Sequence, residues 1–444
     1  MRILIINKFL FPNGGSETYI FEIGRQLQKM GHEVQYFGME HEGRIVSNNV
    51  QSYTKDMNFH VGGLSKITYL FKILYSKEAR KALRPVLEDF KPDVVHLNNI
   101  NFQLTPSVID EIKSFDNSIK IVYTAHDAQW VCPNHLMRIP STGERCLRCI
   151  DGAYGNCTKY RCIHNSRLRS FLGQLEAQIY KYRHTYQKVD IIISPSKFLA
   201  NILSHNKDLQ GRIVTLHNFV EIMDKTEVTL NAHAAGTFEK EKGGVIVSDA
   251  LSDIGLRSSN KIYDLTRDCE KSVAKDYVLY FGRYDVEKGI KVILAAARNL
   301  PEVDFVFAGK GDFEKAIDEL PNIYNVGFQD KEGIYKLIKG ARFTVFPSIW
   351  YENCPFSVIE SIVNGTPVVG SNLGGVPELI DDGKTGVLFE AGNVSELTNK
   401  ILMLWNDDIT IRNLRYNCLN MSQKGGFDSL ESYCNKLVTK VYAH

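Results

Sequence analysis

The sequence predicts an α/β protein made of two doubly wound, parallel-sheet units in tandem. Short apolar runs that fit strands buried on both faces alternate with segments whose apolar residues recur at helical spacing, and this alternation occurs twice. The 444 residues also exceed the size at which a single hydrophobic core divides. A hydrophobic content of 44% and a charged content of 23% are ordinary for a globular protein.

The first series begins with a βαβ pattern, which implies a parallel sheet with helices on its faces. Its predicted strands are 2–6, 32–38, 93–97, 120–126 and 189–196, and its predicted helices are 17–31, 64–90 and 167–188. The second series has predicted strands at 276–282, 304–309, 324–328, 342–348 and 366–371, and helices at 288–300, 331–341 and 355–365.

These patterns predict two domains. The first is residues 1–217, with a cysteine-rich insertion at 132–165 and a terminal helix at 426–444 that packs back onto it, and the second is residues 218–425. Residues 221–275 are polar with weak periodicity, which fits a linker, an edge elaboration or loops.

Charge differs between the two halves. Residues 1–217 carry 28 basic and 19 acidic residues, whereas 218–444 carry 25 and 32, so the balances are +9 and −7. This asymmetry indicates either different partners or simply unequal solvated surfaces. The segment 64–84 fits a basic amphipathic helix that contacts anionic lipid, or equally a helix packed on the sheet with a solvated basic face. The net charge of +2 does not indicate nucleic acid as a partner.

The N-terminal apolar run, 3–6, is too short for a secretory signal, and no apolar stretch approaches the roughly 20 residues of a membrane span. We therefore expect a cytoplasmic protein whose nine cysteines are mostly reduced.

A cationic turn follows the first strand of the second series. Gly282 and Arg283 end the strand, and Lys288 and Gly289 open the next helix. A helix N-terminus favours anions, and Arg and Lys strengthen that preference, so the turn is interpreted as a diphosphate clamp rather than as two solvated cations. Gly309 lies in a second glycine turn after a strand, which allows close backbone approach to a ligand.

The stretch YENCPFSVIE (351–360) holds two glutamates, Glu352 and Glu360, among mainly apolar residues. Pro355 fits a first helical turn, so a helix is predicted to begin there. A carboxylate accepts hydrogen bonds from two neighbouring hydroxyls, and the helix start favours an anion between the two acids. That arrangement suits a nucleotide sugar, which has diols at both ends and phosphates between them. The alternative is a helix-terminal charge for Glu352 and a solvated Glu360.

In the first half, the glycine pair Gly14 and Gly15 follows a strand at a helix start, and His126 follows another strand. Taken singly, a histidine at such a place is more often structural than functional.

In this order the motifs resemble those of the retaining glycosyltransferases of family 4, which have the GT-B fold, two Rossmann-like domains facing a central cleft. The family patterns E-x7-E and G-R-x4-K-G are met by Glu352 and Glu360 and by Gly282, Arg283, Lys288 and Gly289. The pair 14–15, His126, the stretch 194–197 and the turn 375–378 also occur in family order, and a helix is predicted to begin at Val376 in that turn. The resemblance excludes 132–165 and 221–275. This chain departs from the family pattern at Cys354 and Pro355, where many members have small residues.

The resemblance implies that Arg283 and Lys288 bind the donor diphosphate and stabilise the leaving group. Glu360 is expected to hold the ribose and Glu352 the transferred sugar, which His126 also contacts. The expected donor-binding residues are Gly15, Gly282, Gly309, Glu352, Asn353, Cys354, Pro355, Phe356 and Glu360. Cations and helix dipoles serve the leaving group in this family, so no catalytic metal is expected.

The resulting hypothesis is a retaining glycosyltransferase that moves a sugar from a UDP- or GDP-sugar to a carbohydrate or lipid-linked acceptor. The resemblance implies bacterial surface polysaccharide synthesis, with peripheral contact on the inner face of the membrane. Two alternatives remain open: a phosphorylase or epimerase of sugar nucleotides with the same fold, and a non-catalytic protein that binds nucleotide sugars.

Five of the nine cysteines lie within the insertion 132–165. Cys146 and Cys149 have C-x2-C spacing, and Cys157 and Cys162 supply a second pair for a structural zinc. Cys132, His135 or His164 can substitute in this set. An iron–sulfur cluster and unliganded thiols are the alternatives.

Overall fold

A computed structural model describes residues 1–55, 74–220 and 276–443, together with the backbone of 240–241 and 244–245. The chain forms two compact units. Unit 1 contains Met1–Phe219 and Leu430–His444, and unit 2 contains Val220–Ser429. The divisions predicted from the sequence fall after residues 217 and 425. Nearly all of the polar segment 221–275 lies outside the described residues.

Unit 1 is built on a six-stranded parallel sheet. Its strands are β1 (Arg2–Ile6), β2 (Glu33–Phe37), β3 (Val94–Leu97), β4 (Lys120–Thr124), β5 (Ile191–Ser194) and β6 (Ile213–Thr215). The helices that precede unit 2 are α1 (Gly15–Lys29), α2 (Lys77–Phe90), α3 (Ser107–Phe115), α4 (Gly155–Lys159), α5 (Arg167–Tyr182) and α6 (Lys197–Ser204). Residues 3–6 of β1 are completely buried, as expected of a central strand covered on both faces.

The order of this sheet, β2-β1-β3-β4-β5-β6, contains a switch point. The chain places β2 on one side of β1 and β3 on the other, with Ile3 of β1 opposite both Val34 and Val94. Loops that leave the carboxyl ends of β1 and β3 therefore separate to opposite faces and open a crevice, the usual ligand site of such sheets.

Unit 2 repeats the arrangement. Within this unit, a short antiparallel pair, β7 (Lys240–Glu241) and β8 (Gly244–Val245), precedes the parallel sheet in the chain. Its strands are β9 (Val278–Phe281), β10 (Phe305–Ala308), β11 (Ile323–Gly327), β12 (Phe343–Phe346), β13 (Val368–Ser371) and β14 (Gly386–Phe389). Its helices are α7 (Ile290–Arg298), α8 (Glu314–Asp318), α9 (Lys331–Gly340), α10 (Phe356–Val363), α11 (Val394–Trp405) and α12 (Asp408–Gln423). The parallel order β11-β10-β9-β12-β13-β14 has its switch point between β9 and β12.

The C-terminal segment belongs to unit 1. Helix α13 (Leu430–Lys436) continues into a wider turn, Leu437–Tyr442. The Tyr433 hydroxyl lies 2.8 Å from that of Tyr19 on α1, and the Tyr442 hydroxyl lies 2.7 Å from Nδ1 of His96 on β3. Buried polar contacts therefore tie this segment to the sheet.

Two local predictions were wrong. Helix α10 begins at Phe356, one residue later than predicted, because Pro355 has an extended ψ of 125° and precedes the helix. Residues Val376–Glu378 form a single 3₁₀ turn and not the start of a helix. Residues 64–73 of the predicted helix 64–90 lie outside the described residues. The helix that the structure describes begins at Lys77, and the Ser76 side chain caps it by accepting a hydrogen bond from the Ala79 amide.

No helix in the described ranges is both long and apolar enough to cross a membrane.

Candidate active site

The first part of the candidate site lies at the switch point of unit 2. The loop after β9 carries Arg283 and Lys288, and the loop after β12 carries Ser348 and Glu352. Because β9 and β12 are neighbours in the parallel sheet, both loops leave the same edge. Residues widely separated in sequence are thereby brought together.

Lys288 and Glu352 form an ion pair in this crevice. Lys288 Nζ lies 2.6 Å from Glu352 Oε1, and the two side chains are 28% and 13% exposed. The Ser348 hydroxyl donates to the same carboxylate oxygen at 3.0 Å. An ammonium has three donors, so Lys288 can bind an anionic ligand while it keeps this contact.

Arg283 projects into solvent beside this pair. Its side chain is 73% exposed and lies 3.2 Å from an oxygen of Asp285. A hydrogen bond holds its backbone in place, since the Tyr280 hydroxyl donates to the Arg283 carbonyl oxygen at 2.7 Å. Asp285 also accepts the Lys288 amide at 2.8 Å, so the turn holds both cations on one short loop.

Glycine is required at two places around this turn. Gly289 has a φ of +75°, and a Cβ there would lie 1.8 Å from the Pro347 carbonyl oxygen. A Cβ on Gly309 would lie 1.9 Å from the Gly282 carbonyl oxygen. These close approaches let the loops after β9, β10 and β12 pack together.

The glycine turn after β13, at Gly374 and Gly375, supports the backbone of Glu352. The Gly375 amide donates to the Glu352 carbonyl at 2.7 Å. Gly374 has a φ of +65°, and a Cβ there would lie 2.4 Å from the same oxygen. The turn after β13 thus fixes the backbone that presents the Glu352 carboxylate.

Glu360 lies one turn inside α10. Its burial raises the pKa of the carboxyl to about 7, against a smaller opposing effect of Lys331. Cys354 is only 5% exposed and packs in the apolar cluster with Val358 and Val376, so its side chain faces the core of unit 2. Of the expected donor-binding residues 353–356, Cys354 can therefore offer a ligand only its backbone.

The corresponding crevice of unit 1 is lined with amides. Asn7 donates to Glu17 Oε1 at 3.0 Å and accepts the Asn99 amide N–H at 3.0 Å. The Asn99 side chain donates in turn to the Ser16 hydroxyl at 2.9 Å. This network surrounds the start of α1, where Gly14 precedes the helix and Gly15 begins it.

His126 lies beside this network. Its Nε2 is 2.8 Å from Asn98 Oδ1, while the Asn98 amide donates to the His96 carbonyl. The amide orientation makes His126 Nε2 the donor. Burial lowers the pKa of His126 to about 4, so the ring is neutral at pH 7. Tyr19 packs edge-on against it with ring centroids 5.1 Å apart.

A polar pocket of about 50 Å³ opens at the carboxyl ends of β1, β3 and β4. It is lined by Lys8, Asn99, Asn101, Phe102, Tyr123, Asp127, Gln129 and His135. Phe102 and His135 have φ values of +67° and +54°, and strained backbone of this kind clusters at functional sites. This pocket was not predicted, although the three asparagines at 98, 99 and 101, directly after a buried strand, were a signal for it.

All five cysteines of the insertion line one small cavity. Cys149, Cys157 and Cys162 of the expected zinc set are buried, whereas Cys146 is half-buried, and Cys132 is buried as well. Among the described residues, no group of three or more His, Cys, Asp or Glu side chains has an arrangement that could hold a metal ion. The zinc site remains a prediction.

Comparison with known proteins gives matches over most of the chain. Residues 13–223 match the profile of glycosyltransferase family 4, and residues 266–421 match that of glycosyl transferases group 1. Sulfoquinovosyl transferase SQD2 of Arabidopsis thaliana is 33% identical over 140 residues, which are 30% of this chain and 27% of that protein. An uncharacterized 42.6 kDa protein in the cps region of Klebsiella pneumoniae is 23% identical over 85% of this chain and 87% of its own length.

The chain spans only 27% to 57% of the length of the first four curated relatives. Among solved structures, Anabaena Alr3699/HepE in complex with UDP has a TM-score of 0.63 and 15% identity, with full coverage of both chains. This likeness shows the GT-B fold, two Rossmann-like domains, in agreement with the two parallel sheets. The chain belongs to the group 1 glycosyltransferases of family 4.

Proposed function

We propose that this protein is a retaining glycosyltransferase that transfers a hexose from a UDP- or GDP-sugar to a glycan or lipid-linked acceptor. The observation that carries the proposal is the ion pair between Lys288 and Glu352 at the switch point of unit 2, with Arg283 exposed beside it. This crevice combines cations, a helix start and a carboxylate, which is the set of groups that a nucleotide sugar requires.

In this proposal Arg283 and Lys288 bind the diphosphate and stabilise the negative charge that develops as the bond to the sugar breaks. Arg283 grips phosphate oxygens in a fork, and Lys288 adds a point charge that Glu352 holds in position. The charge is supplied by side chains and by the start of α7, so the proposed reaction needs no catalytic metal.

Glu352 and Glu360 bind the two ends of the donor. Lys288 and Ser348 both donate to Glu352 Oε1, and we assign Oε2 to a hydroxyl of the transferred sugar. Glu360 is assigned to the ribose, because an ionised carboxylate accepts two neighbouring hydroxyls. The departing phosphate takes the proton of the acceptor hydroxyl as that hydroxyl attacks the same face of the sugar, which gives retention.

The acceptor is assigned to the polar pocket of unit 1. Asn99, Asn101, Asp127 and Gln129 offer both donors and acceptors there, which suits the hydroxyls of a carbohydrate. The neutral His126 ring beside it is suited to hydrogen-bond an uncharged sugar hydroxyl. The structure of Anabaena HepE in complex with UDP-glucose supports a UDP-sugar as the donor. The Klebsiella relative is a protein in a cps region, and this supports a role in surface polysaccharide synthesis.

Peripheral membrane contact is the further part of this proposal. On α2, Arg80 and Arg84 form ion pairs with Glu111, whereas Lys77 and Lys81 are exposed. We expect loss of Lys77 and Lys81, together with Lys66 and Lys72, to reduce binding to vesicles that contain anionic lipid. Unchanged binding would mean that this helix only covers the sheet.

The test of the function is a screen of UDP- and GDP-sugars by thermal shift, followed by an assay of nucleoside diphosphate release. Arg283→Ala and Lys288→Ala should each lower release and transfer by about 100-fold or more, as loss of an electrostatic stabiliser does. Arg298→Ala and Lys339→Ala, which are exposed elsewhere on unit 2, are the matched controls.

The alternatives give different outcomes in this assay. A phosphorylase would release sugar phosphate when inorganic phosphate is added, and an epimerase would convert the donor without release. Binding of a nucleotide sugar with no turnover in the presence of any acceptor would indicate a non-catalytic protein and would contradict the proposal.

A further inference from the structure

The cysteine-rich segment 132–165 has little regular structure of its own. Its one helix, α4, has five residues, and a narrow hairpin pairs Arg138 with Arg145. Left-handed backbone occurs at His135, Met137, Arg161, His164 and Asn165. Loops of this length without secondary structure need another source of order.

The apolar cluster around the cysteines of this segment is small. Its buried members are Cys149, Tyr154, Cys157 and Cys162, so three of the four are thiols. A thiol buries little surface, so this cluster adds only weak hydrophobic stabilisation to that of the other buried apolar residues of the segment, Met137, Ile139 and Ile150.

The five thiols face a cavity of about 10 Å³, roughly the space that one water or one ion occupies. Asn134, Asn156 and Arg138 are the other polar side chains on its wall, and the wall contains no carboxylate. Thiolates without carboxylates select zinc among the common divalent ions.

Four of the thiols form the inner set. Cys132, Cys149, Cys157 and Cys162 are each at most 8% exposed. Cys157 lies close enough to Cys132, Cys149 and Cys162 to interact electrostatically with each of them, and Cys162 also interacts with Cys132 and Cys149. Cys146 lies at the rim, where its sulfur accepts a hydrogen bond from Arg148 at 3.4 Å.

We propose that this cavity binds one zinc ion through the thiolates of Cys132, Cys149, Cys157 and Cys162. The set predicted from the sequence contained Cys146 in place of Cys132, and the other three ligands are the same. The side chains as they stand are not yet arranged to hold a metal ion, so each sulfur must turn towards the centre of the cavity. Zinc–sulfur bonds of about 2.3 Å separate tetrahedral sulfurs by about 3.8 Å, which is the spacing that the four sulfurs must reach around the ion.

Binding converts Zn²⁺ and four thiols into a tetrathiolate with a net charge of about −2 and releases four protons. The Arg138 side chain on the wall of the cavity offsets part of that charge. The ion would also fix one wall of the polar pocket, because the His135 amide donates to the Cys132 carbonyl at 2.7 Å and His135 lines that pocket.

The first experiment measures metal in the full-length protein, expressed with zinc, purified without chelators and kept reduced. We expect close to one equivalent of zinc, and a cobalt-substituted protein with the sulfur-to-cobalt absorption of a tetrathiolate site. Less than a tenth of an equivalent of zinc, or iron with inorganic sulfide in its place, would overturn the proposal. Both readouts use the wild-type chain and are independent of transferase activity.

The second experiment compares serine variants. Cys149→Ser and Cys157→Ser should lose the zinc, whereas Cys146→Ser should retain it. Cys418→Ser and Cys434→Ser remove buried thiols elsewhere and are the matched controls. If the inner variants do not fold, chelator titration of the wild type still decides, since zinc release should be accompanied by a lower melting temperature. A full equivalent of zinc in Cys149→Ser would contradict the assigned ligands.

Discussion

Lys288 and Glu352 were each predicted from a spacing motif, but their contact was not. The two residues are 64 positions apart, and only the neighbouring positions of β9 and β12 bring them within 2.6 Å. The sequence could therefore indicate the residue types of the site but not which partner each carboxylate has. The same holds for Cys354, whose side chain the packing of α10 turns into the core.

If Glu360 binds the donor as proposed, its raised pKa should make donor binding depend on pH. Burial sets this pKa at about 7, so the carboxyl is mostly protonated at pH 6 and mostly ionised at pH 8. In the proposed assignment, only the ionised form accepts hydrogen bonds from both ribose hydroxyls. We therefore expect the Kd for the nucleotide sugar selected in the thermal-shift screen to increase several-fold as the pH falls from 8 to 6.

Glu360→Gln tests this assignment, because glutamine has a similar shape and does not titrate. Its Kd should be higher than that of the wild type at pH 8 and nearly constant over the same range. A nucleotide sugar is the right probe, since its diphosphate does not titrate there. An unchanged pH dependence in Glu360→Gln would show that another group is responsible.

At the scale of elements, most of the buried strands were predicted, but the last strand of each sheet, β6 and β14, and several helices were not. Runs such as 2–6 are apolar throughout, and such runs fit strands covered on both faces. Helices α11 and α12 went unpredicted: each buries only three or four positions, so their periodic signal is weak. The helix predicted at Val376 was wrong, since the chain leaves the turn after three residues.

Helix α5 supports the polar pocket through one buried acid. Glu176 is 3% exposed, and its Oε1 has no hydrogen-bond partner among the described residues, while Asn101 and the Phe102 backbone interact with the carboxyl strongly enough to oppose part of the effect of burial on its pKa. Burial raises the pKa of Glu176 to about 8 from an ordinary value of 4.5. The folded protein thus binds more protons than the unfolded chain between these values, and the free energy of unfolding falls as the pH rises through them.

Glu176→Gln should remove this pH dependence. We expect the wild type to lose stability between pH 5 and pH 8 relative to the variant, as measured by urea unfolding at each pH. Glu88→Gln, on the exposed face of α2, is the control and should leave the wild-type slope unchanged. Parallel curves for Glu176→Gln and the wild type would mean that Glu176 ionises normally in the folded state.

At the scale of the whole molecule, the C-terminal segment, residues 430–444, belongs to unit 1 together with the first half of the chain. A terminal helix that packs back onto the first domain was predicted, but the residues that it contacts there were not. Tyr433 reaches Tyr19, and Tyr442 reaches His96, whose Nε2 contacts Thr124 at 2.7 Å. These buried hydroxyls form one network beneath the crevice of unit 1, and contacts over more than 300 positions leave no local signal in a sequence.

Removal of residues 430–444 should therefore weaken unit 1 and spare unit 2. Truncation after Ser429 removes the Tyr433 partner of Tyr19, which keeps its contact with Thr124, and leaves His96 Nδ1 without the Tyr442 hydroxyl. A buried polar group left unpaired in this way costs about 1–3 kcal/mol. Hydrogen exchange should show lower protection in β1, α1 and β3, with unchanged protection in β9 and β12. Truncation after Tyr442 keeps both hydroxyls and is the control. Equal losses in both units would contradict this division of stability, and unchanged protection in β1 would show that the C-terminal contacts contribute nothing.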